Sequence, residues 1–225
     1  MGTLKDIHLH AEWNQSRSEE LANSVSHGVG FLLAIIGAPV LLLAAWERGS
    51  VPFLIGAGVF ASTMLLLYLG SMLYHAWPQT PFKCALQVVD HSAIFLLIAG
   101  TYTPFTLGPL HGIRGWAILT LVWLLAAGGV MLKARKGVLH RPRFAIALYL
   151  AMGWLIVLVI HPLALAVPAA TLFWLIAGGV VYTTGIIFFV REHVRYNHFF
   201  WHLFVLGGTL CHYLAVFTYA TATSA

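Results

Sequence analysis

Apolar runs of about 20 residues recur along this chain, and each is long enough to cross roughly 30 Å of hydrocarbon as a helix. Stretches such as FLLAIIGAPVLLLAAW (31–46) and WAILTLVWLLAAGGVML (116–132) are apolar on every side. They leave no polar face to turn toward water. Of the 225 residues, 60% are hydrophobic and only 8% are charged, whereas soluble domains carry about 25% charged residues. Soluble enzymes, nucleic-acid readers and secreted disulfide scaffolds are excluded on this ground. Membrane β-strands are excluded too, because they need only about ten residues and alternate polar with apolar. An all-α membrane protein is what remains.

Reading for long apolar runs predicts seven spans, at about 22–46, 51–76, 84–107, 113–133, 143–161, 168–190 and 199–220. This is a seven-transmembrane helix bundle, with residues 22–220 as one membrane domain. No soluble domain, linker or internal repeat interrupts it. Glycines at 56, 58, 128, 129, 178, 179, 207 and 208 would let neighbouring helices approach closely. Orientation follows from the basic residues. One side carries Lys5, Arg17, Lys83, Lys133, Arg135, Lys136, Arg141, Arg143, Arg191 and Arg195, and the other only Arg48 and Arg114. Positive charge marks the inside. Residues 1–21 are therefore expected to be a cytoplasmic segment and 221–225 a short external tail. An even number of helices would break the asymmetry.

The first twenty residues contain Asp6, Glu12, Glu19 and Glu20 and no apolar core. They do not read as a cleaved signal peptide, so the first span is expected to act as its own insertion signal. The expected location is a cell membrane, as a multi-pass protein. Cys84 and Cys211 lie in different apolar segments and read as buried free thiols.

Ionisable residues inside a bilayer cost roughly 2.5–3.5 kcal/mol each, so each one is a functional hypothesis. Here they gather at one depth. Glu20, Asn23 and His27 open the first helix, Ser71 and His75 end the second, Asp90 lies a turn or two into the third, and His198 and His202 open the seventh. With the orientation above, all fall in the cytoplasmic third. Residues four apart share a helix face, so His198 and His202 can point at one ion, and Ser71 and His75 pair in the same way. Glu20, Asn23 and His27 form a further single-face stripe, an accessory polar site. Three neutral imidazoles with one open position are the ligand set of a catalytic zinc. Hydrogen-bonded core histidines are the other reading of an H-x3-H pair alone. A third buried histidine and a buried aspartate at matching depth favour the metal.

The other polar groups have blander readings. His8, His10, His140 and His193 sit in cytoplasmic segments and His111 in an outer loop, all solvated. His161, beside Pro162, reads as interfacial. His91 follows Asp90 and points elsewhere on its helix. His212 lies ten residues beyond His202, roughly 15 Å along the axis at 1.5 Å per residue, too far for the same ion but placed to hydrogen-bond between helices. H-E-x-x-H is absent, so this is no zincin protease. The lysines, at 5, 83, 133 and 136, lie at segment ends or in loops, which excludes a retinal Schiff base. No G-x-x-x-x-G-K-[ST] is present to drive transport with ATP.

The stretches EELANSVSHGVG (19–30), SMLYH (71–75), DHSAIFLLIAGTYTPF (90–105) and NHFFWHLFVLGGTLCH (197–212) together resemble the bacterial haemolysin III family. That family is related to the adiponectin and progestin receptors and more distantly to the alkaline ceramidases. The resemblance runs from about residue 19 to residue 217. It implies that His75, His198 and His202 bind zinc, that Asp90 holds or deprotonates the attacking water, and that Ser71 supports it. Glu20, Asn23 and His27 match the first-helix motif of the family. The function implied is a zinc-dependent hydrolase of a lipid amide or ester in membrane lipid homeostasis, with membrane lipids as substrate or ligand and no nucleic-acid partner. A membrane receptor or sensor with a structural zinc is the alternative, and a haemolysin-like cytolytic protein a third. No helix carries a polar stripe along its whole length, which argues against a self-assembling pore.

Overall fold

The computed structural model describes residues 15–135, 142–191 and 194–222. Among these, seven helical spans are long and apolar enough to cross a membrane. Helix α1 runs Arg17–Glu47, α2 Val51–Ala76, α3 Pro81–Leu107 and α4 Ile113–Ala134. The fifth span is composite, with α5 (Pro142–Gly153), a 3-10 segment (Trp154–Val159) and α6 (Ile160–Ala166) in sequence. Helices α7 (Ala169–Phe189) and α8 (Asn197–Thr221) complete the bundle. No strand occurs among the described residues, so the all-α seven-helix reading of the sequence holds.

Helix α1 starts at Arg17, earlier than hydropathy suggests, and the reason is a capping box. The Glu19 backbone N–H donates to Ser16 Oγ at 3.3 Å and the Ser16 N–H to Glu19 Oε2 at 3.0 Å, which satisfies two orphan donors of the first turn. Residues 17–21 are thus the start of the helix, not a separate segment, and Glu20 and Asn23 gain fixed helical positions. At the other end, α8 reaches Thr221, which shortens the expected tail. Residues 1–14 and 223–225 lie outside the described part. Gly112, at φ +98°, makes the turn into α4, a conformation open to glycine.

The core is strung along α2 and α3. Of their most apolar windows 56% is buried, against 17% for the fifth and sixth spans. Helix α1 packs on α2 and α8, α3 on α2 and α4, and α7 on α8. Phe53, Phe60, Phe95, Phe105, Leu41 and Val122 are fully buried. Of each glycine pair expected to permit close approach, one member does so. A Cβ on Gly56 would lie 2.5 Å from Pro104 Cα, on Gly129 2.6 Å from Phe95, on Gly178 2.4 Å from His212 and on Gly208 2.7 Å from Tyr182. Gly58, Gly128, Gly179 and Gly207 meet no such obstacle.

Candidate metal centre

Two helix ends bring three histidines together at one end of the bundle. His75 occupies the last turn of α2, and His198 and His202 the first turns of α8. The i, i+4 spacing turns the latter two toward α2. One ligand atom from each of the three lies within 4.8 Å of the other two. Ring centroids are 5.1 Å apart for His75 and His198, 5.0 Å for His75 and His202, and 4.7 Å for His198 and His202. His75 and His202 are buried and His198 half-buried.

The first helix surrounds this triangle. Glu20 Oε2 lies 2.8 Å from His75 Nδ1, and the Asn23 carbonyl 3.2 Å from His202 Nδ1, with Ser26 Oγ at 3.1 Å from the same nitrogen. His27 stacks on His202 with centroids 3.6 Å apart and planes 7° from parallel. A carboxylate and a carbonyl only accept, so the Nδ1 of His75 and of His202 carries the hydrogen, and each Nε2 keeps its lone pair. His75 Nε2 is buried with no hydrogen-bond partner among the described residues. Neutral imidazoles with Nε2 available suit a divalent metal such as zinc. The residues therefore fit the ion that their pattern suggests.

Beside the triangle is a cavity of about 20 Å³, lined by Ser71, Asp90, His27, His91, His198 and His202 among others. That is room for about one water molecule. Ser71 Oγ and both ring nitrogens of His27 are buried with no hydrogen-bond partner among the described residues. Asp90 lines the cavity but is not one of the clustered ligand residues. The structure corrects one expectation here: His91 shares the cavity instead of pointing elsewhere. Lys133 Nζ lies 3.4 Å from its Nδ1, and the Tyr149 hydroxyl donates to its carbonyl at 2.9 Å.

The small cavity shares Leu67, Ile94, Phe189, Trp201 and Val205 with a second, almost wholly apolar cavity of about 320 Å³. The fifth span, α3, α7 and α8 wall this larger volume, with Tyr102, Tyr149 and Trp154 among the lining. The three further histidines that the structure describes outside the site fall as the sequence suggests. His111 and His161 are exposed, and His212 lies 3.3 Å from the Leu175 carbonyl of α7. His8, His10, His140 and His193 lie outside the described residues. Cys84 and Cys211 are free, and half-buried instead of fully buried. Lys83 and Lys133, expected at segment ends or in loops, are both buried at the site's edge, at 1% and 7% exposure. Their helix-end positions hid this, since lysines there usually snorkel outward. Ser26, missed in the sequence, sits one residue before His27 on the same polar stretch of α1.

The chain is similar to known proteins over most of its length. Residues 15–213 match the family model described as "Haemolysin-III related". The "Hemolysin-3 homolog" of Bacillus subtilis (strain 168) is 40% identical over 204 residues, covering 89% of this chain and 94% of the relative. "Hemolysin-3" of Bacillus cereus is 40% identical over 209 residues, covering 92% and 94%. The human "Monocyte to macrophage differentiation factor" is 27% identical over 217 residues, covering 89% and 84%. No solved structure matches the chain significantly.

Proposed function

The chain belongs to the haemolysin III family, and from that premise we propose that this multi-pass membrane protein is a zinc-dependent intramembrane hydrolase of a lipid amide or ester. His75, His198 and His202 would hold the ion. When bound to three imidazoles with one position open, zinc supplies Lewis acidity and activates water at neutral pH. The observation that carries the reading is the juxtaposition of two volumes. The water-sized cavity lined by Asp90, Ser71 and the histidines abuts an apolar cavity of about 320 Å³, so a reacting polar group and an apolar chain have adjoining places.

The residues then divide the work. Asp90 takes the proton from the attacking water as its oxygen bonds to the carbonyl carbon. The C–N or C–O bond breaks, the acyl group keeps the new hydroxyl, and the leaving amine or alcohol takes from Asp90 the proton that came from the water, which regenerates the carboxylate. Ser71 hydrogen-bonds the water and orients it, while the apolar walls hold the chain and exclude bulk solvent. Positive-inside asymmetry puts the site near the cytoplasmic leaflet of the cell membrane, within reach of an ester or amide close to a lipid headgroup.

Metal analysis joined to untargeted lipid comparison tests this reading. Wild type should carry zinc and shift the membrane lipid profile relative to a null strain. Asp90→Asn should keep most of the zinc and leave the profile of the null. Full lipid activity in Asp90→Asn would remove water attack from the scheme, and a receptor with a structural ion would take its place. Loss of zinc from that variant would make Asp90 a direct ligand and close the site to substrate. A reporter fused after Ala225 should read as external, and a cytoplasmic signal would overturn the orientation.

A further inference from the structure

Glu20 lies outside the three-histidine group, yet each of its oxygens has a defined task. Oε2 meets His75 Nδ1 at 2.8 Å, and Oε1 accepts from Lys83 Nζ at 2.7 Å. Lys83 also donates to the Trp77 carbonyl at 3.1 Å, and its ammonium stands 5.0 Å above the Tyr74 ring. The chain of contacts from Trp77 through Lys83 and Glu20 to His75 joins α1, α3 and the end of α2. A lysine in the first turn of a helix usually carries its charge to water. This one turns inward, and burying an ammonium is unfavourable unless it is paired and hydrogen-bonded. The carboxylate it meets is the one that holds a candidate ligand.

We infer that Glu20 and Lys83 form a positioning pair that sets the metal affinity of His75. The inference rests on the zinc reading above and adds residues outside the ligand set. An unrestrained imidazole exchanges tautomers and turns about its Cβ–Cγ bond. Hydrogen-bonded to Glu20, His75 keeps its proton on Nδ1, holds Nε2 toward His198 and His202, and is a stronger donor to the ion. Lys83 fixes the carboxylate by occupying its other oxygen. Partners of this kind change metal affinity by about 10–100-fold when removed. A purely architectural pair between α1 and α3 would change stability and leave affinity alone.

Two double variants separate these roles, read by zinc competition with a chromophoric chelator in detergent and by thermal unfolding of the metal-free protein. Glu20→Leu with Lys83→Met removes both charges together, so neither is stranded, and apolar replacement of a buried pair often leaves folding unharmed. We expect it to fold and to bind zinc about 10–100-fold more weakly than wild type. Glu20→Gln with Lys83→Met returns an acceptor to His75 and should recover much of that loss. Wild-type affinity in the Leu/Met variant, with zinc lost in His75→Ala, would overturn the inference and leave the zinc site intact. Equal weakening in the Leu/Met and Gln/Met variants would overturn it as well, since the restored acceptor would then do nothing. A wild-type protein that binds no zinc would remove the metal reading itself, and this inference with it.

Discussion

The histidine end of the bundle and the middle of the fifth span meet opposite demands. Around the histidines, side chains far apart in sequence converge. Ser26 pairs with His202 across 176 positions, and Glu19 Oε1 accepts from the Tyr196 N–H at 2.9 Å across 177. In the middle of the fifth span the helix passes from α to 3-10 geometry at Trp154, and apart from the Trp154 indole N–H, which donates to Thr183 Oγ1 at 3.1 Å, its polar groups are those of the backbone. There the single hydroxyl of Tyr102 lies 2.9 and 2.8 Å from the Met152 and Gly153 carbonyls and accepts from the Ile156 N–H at 2.9 Å. Irregular backbone within a membrane is tolerated where protein buries it or a cavity adjoins it, and here the apolar cavity adjoins it. The contrast teaches how one bundle can serve two ends. On the hydrolase reading proposed above, chemistry needs polar groups held in place, whereas a long apolar guest needs walls that make no polar demands.

The largest expected effect breaks the first half of that contrast. His75→Ala, or His198→Ala with His202→Ala, should abolish stoichiometric zinc in purified protein, because two or fewer imidazoles cannot hold a tetrahedral ion tightly. His111→Ala and His161→Ala, both exposed, should keep it. Stoichiometric zinc in the double variant would dissolve the distinction between the two regions.

Acidification comes next. Histidine must be neutral to bind, so protons compete with the metal for Nε2. Zinc occupancy should be full above the ordinary imidazole range near 6.5 and should decline as pH falls through it and below. The check is chelator competition at a series of pH values. Occupancy that rises on acidification would mean that histidine nitrogens are not the ligands.

Tyr102→Phe tests the other half. The phenyl ring would fill the same space, but the Ile156 N–H and the Met152 and Gly153 carbonyls would lose this hydroxyl contact. Losing hydrogen bonds away from water costs about 1–3 kcal/mol, which thermal unfolding in detergent would report. Zinc affinity should stay at the wild-type value. A fall in affinity with this variant would show that the two regions are one mechanical unit, and the contrast would need redrawing.

How much of this the sequence discloses depends on the range of the forces involved. The spans are legible because burying apolar length is a local property of each run, and their number follows directly. The gathering of His75, His198 and His202 is legible too, because helical spacing and depth are one-dimensional quantities. The start of α1 at Arg17 is written in the sequence as Ser16 and Glu19 three apart, a capping signal that hydropathy alone passes over. The inward turn of Lys83 is different in kind. Only the arrival of Glu20 from another helix makes it favourable, and no periodicity within α3 signals that. His91 is a similar case, since the helical step from Asp90 turns it toward α4 and α5, whose closeness to the site is a matter of packing. The 3-10 segment is hidden for the same reason, as its compensation by Tyr102 comes from α3.

The smallest expected effect concerns the backbone that feeds the histidine end. Tyr196 precedes α8 in the left-handed region, at φ +62° and ψ 5°, a conformation that costs an L-residue roughly 1–2 kcal/mol. Asparagine tolerates it better. Tyr196→Asn would lose the contact in which the Arg195 guanidinium stands 5.0 Å above the tyrosine ring, which at an exposed site contributes roughly 0.5–1 kcal/mol. The net change should therefore be a stabilisation of about 1 kcal/mol or less, visible as a small rise in unfolding temperature. The backbone N–H of residue 196 still reaches Glu19, so the entry into α8 keeps its anchor and His198 its aim. Zinc affinity should then be unchanged. If affinity falls while stability rises, the tyrosine ring itself steers His198, and strain at the mouth of α8 belongs to the metal centre. If both stay flat, the left-handed backbone at Tyr196 carries no net strain, and the polar end is held by its side chains alone.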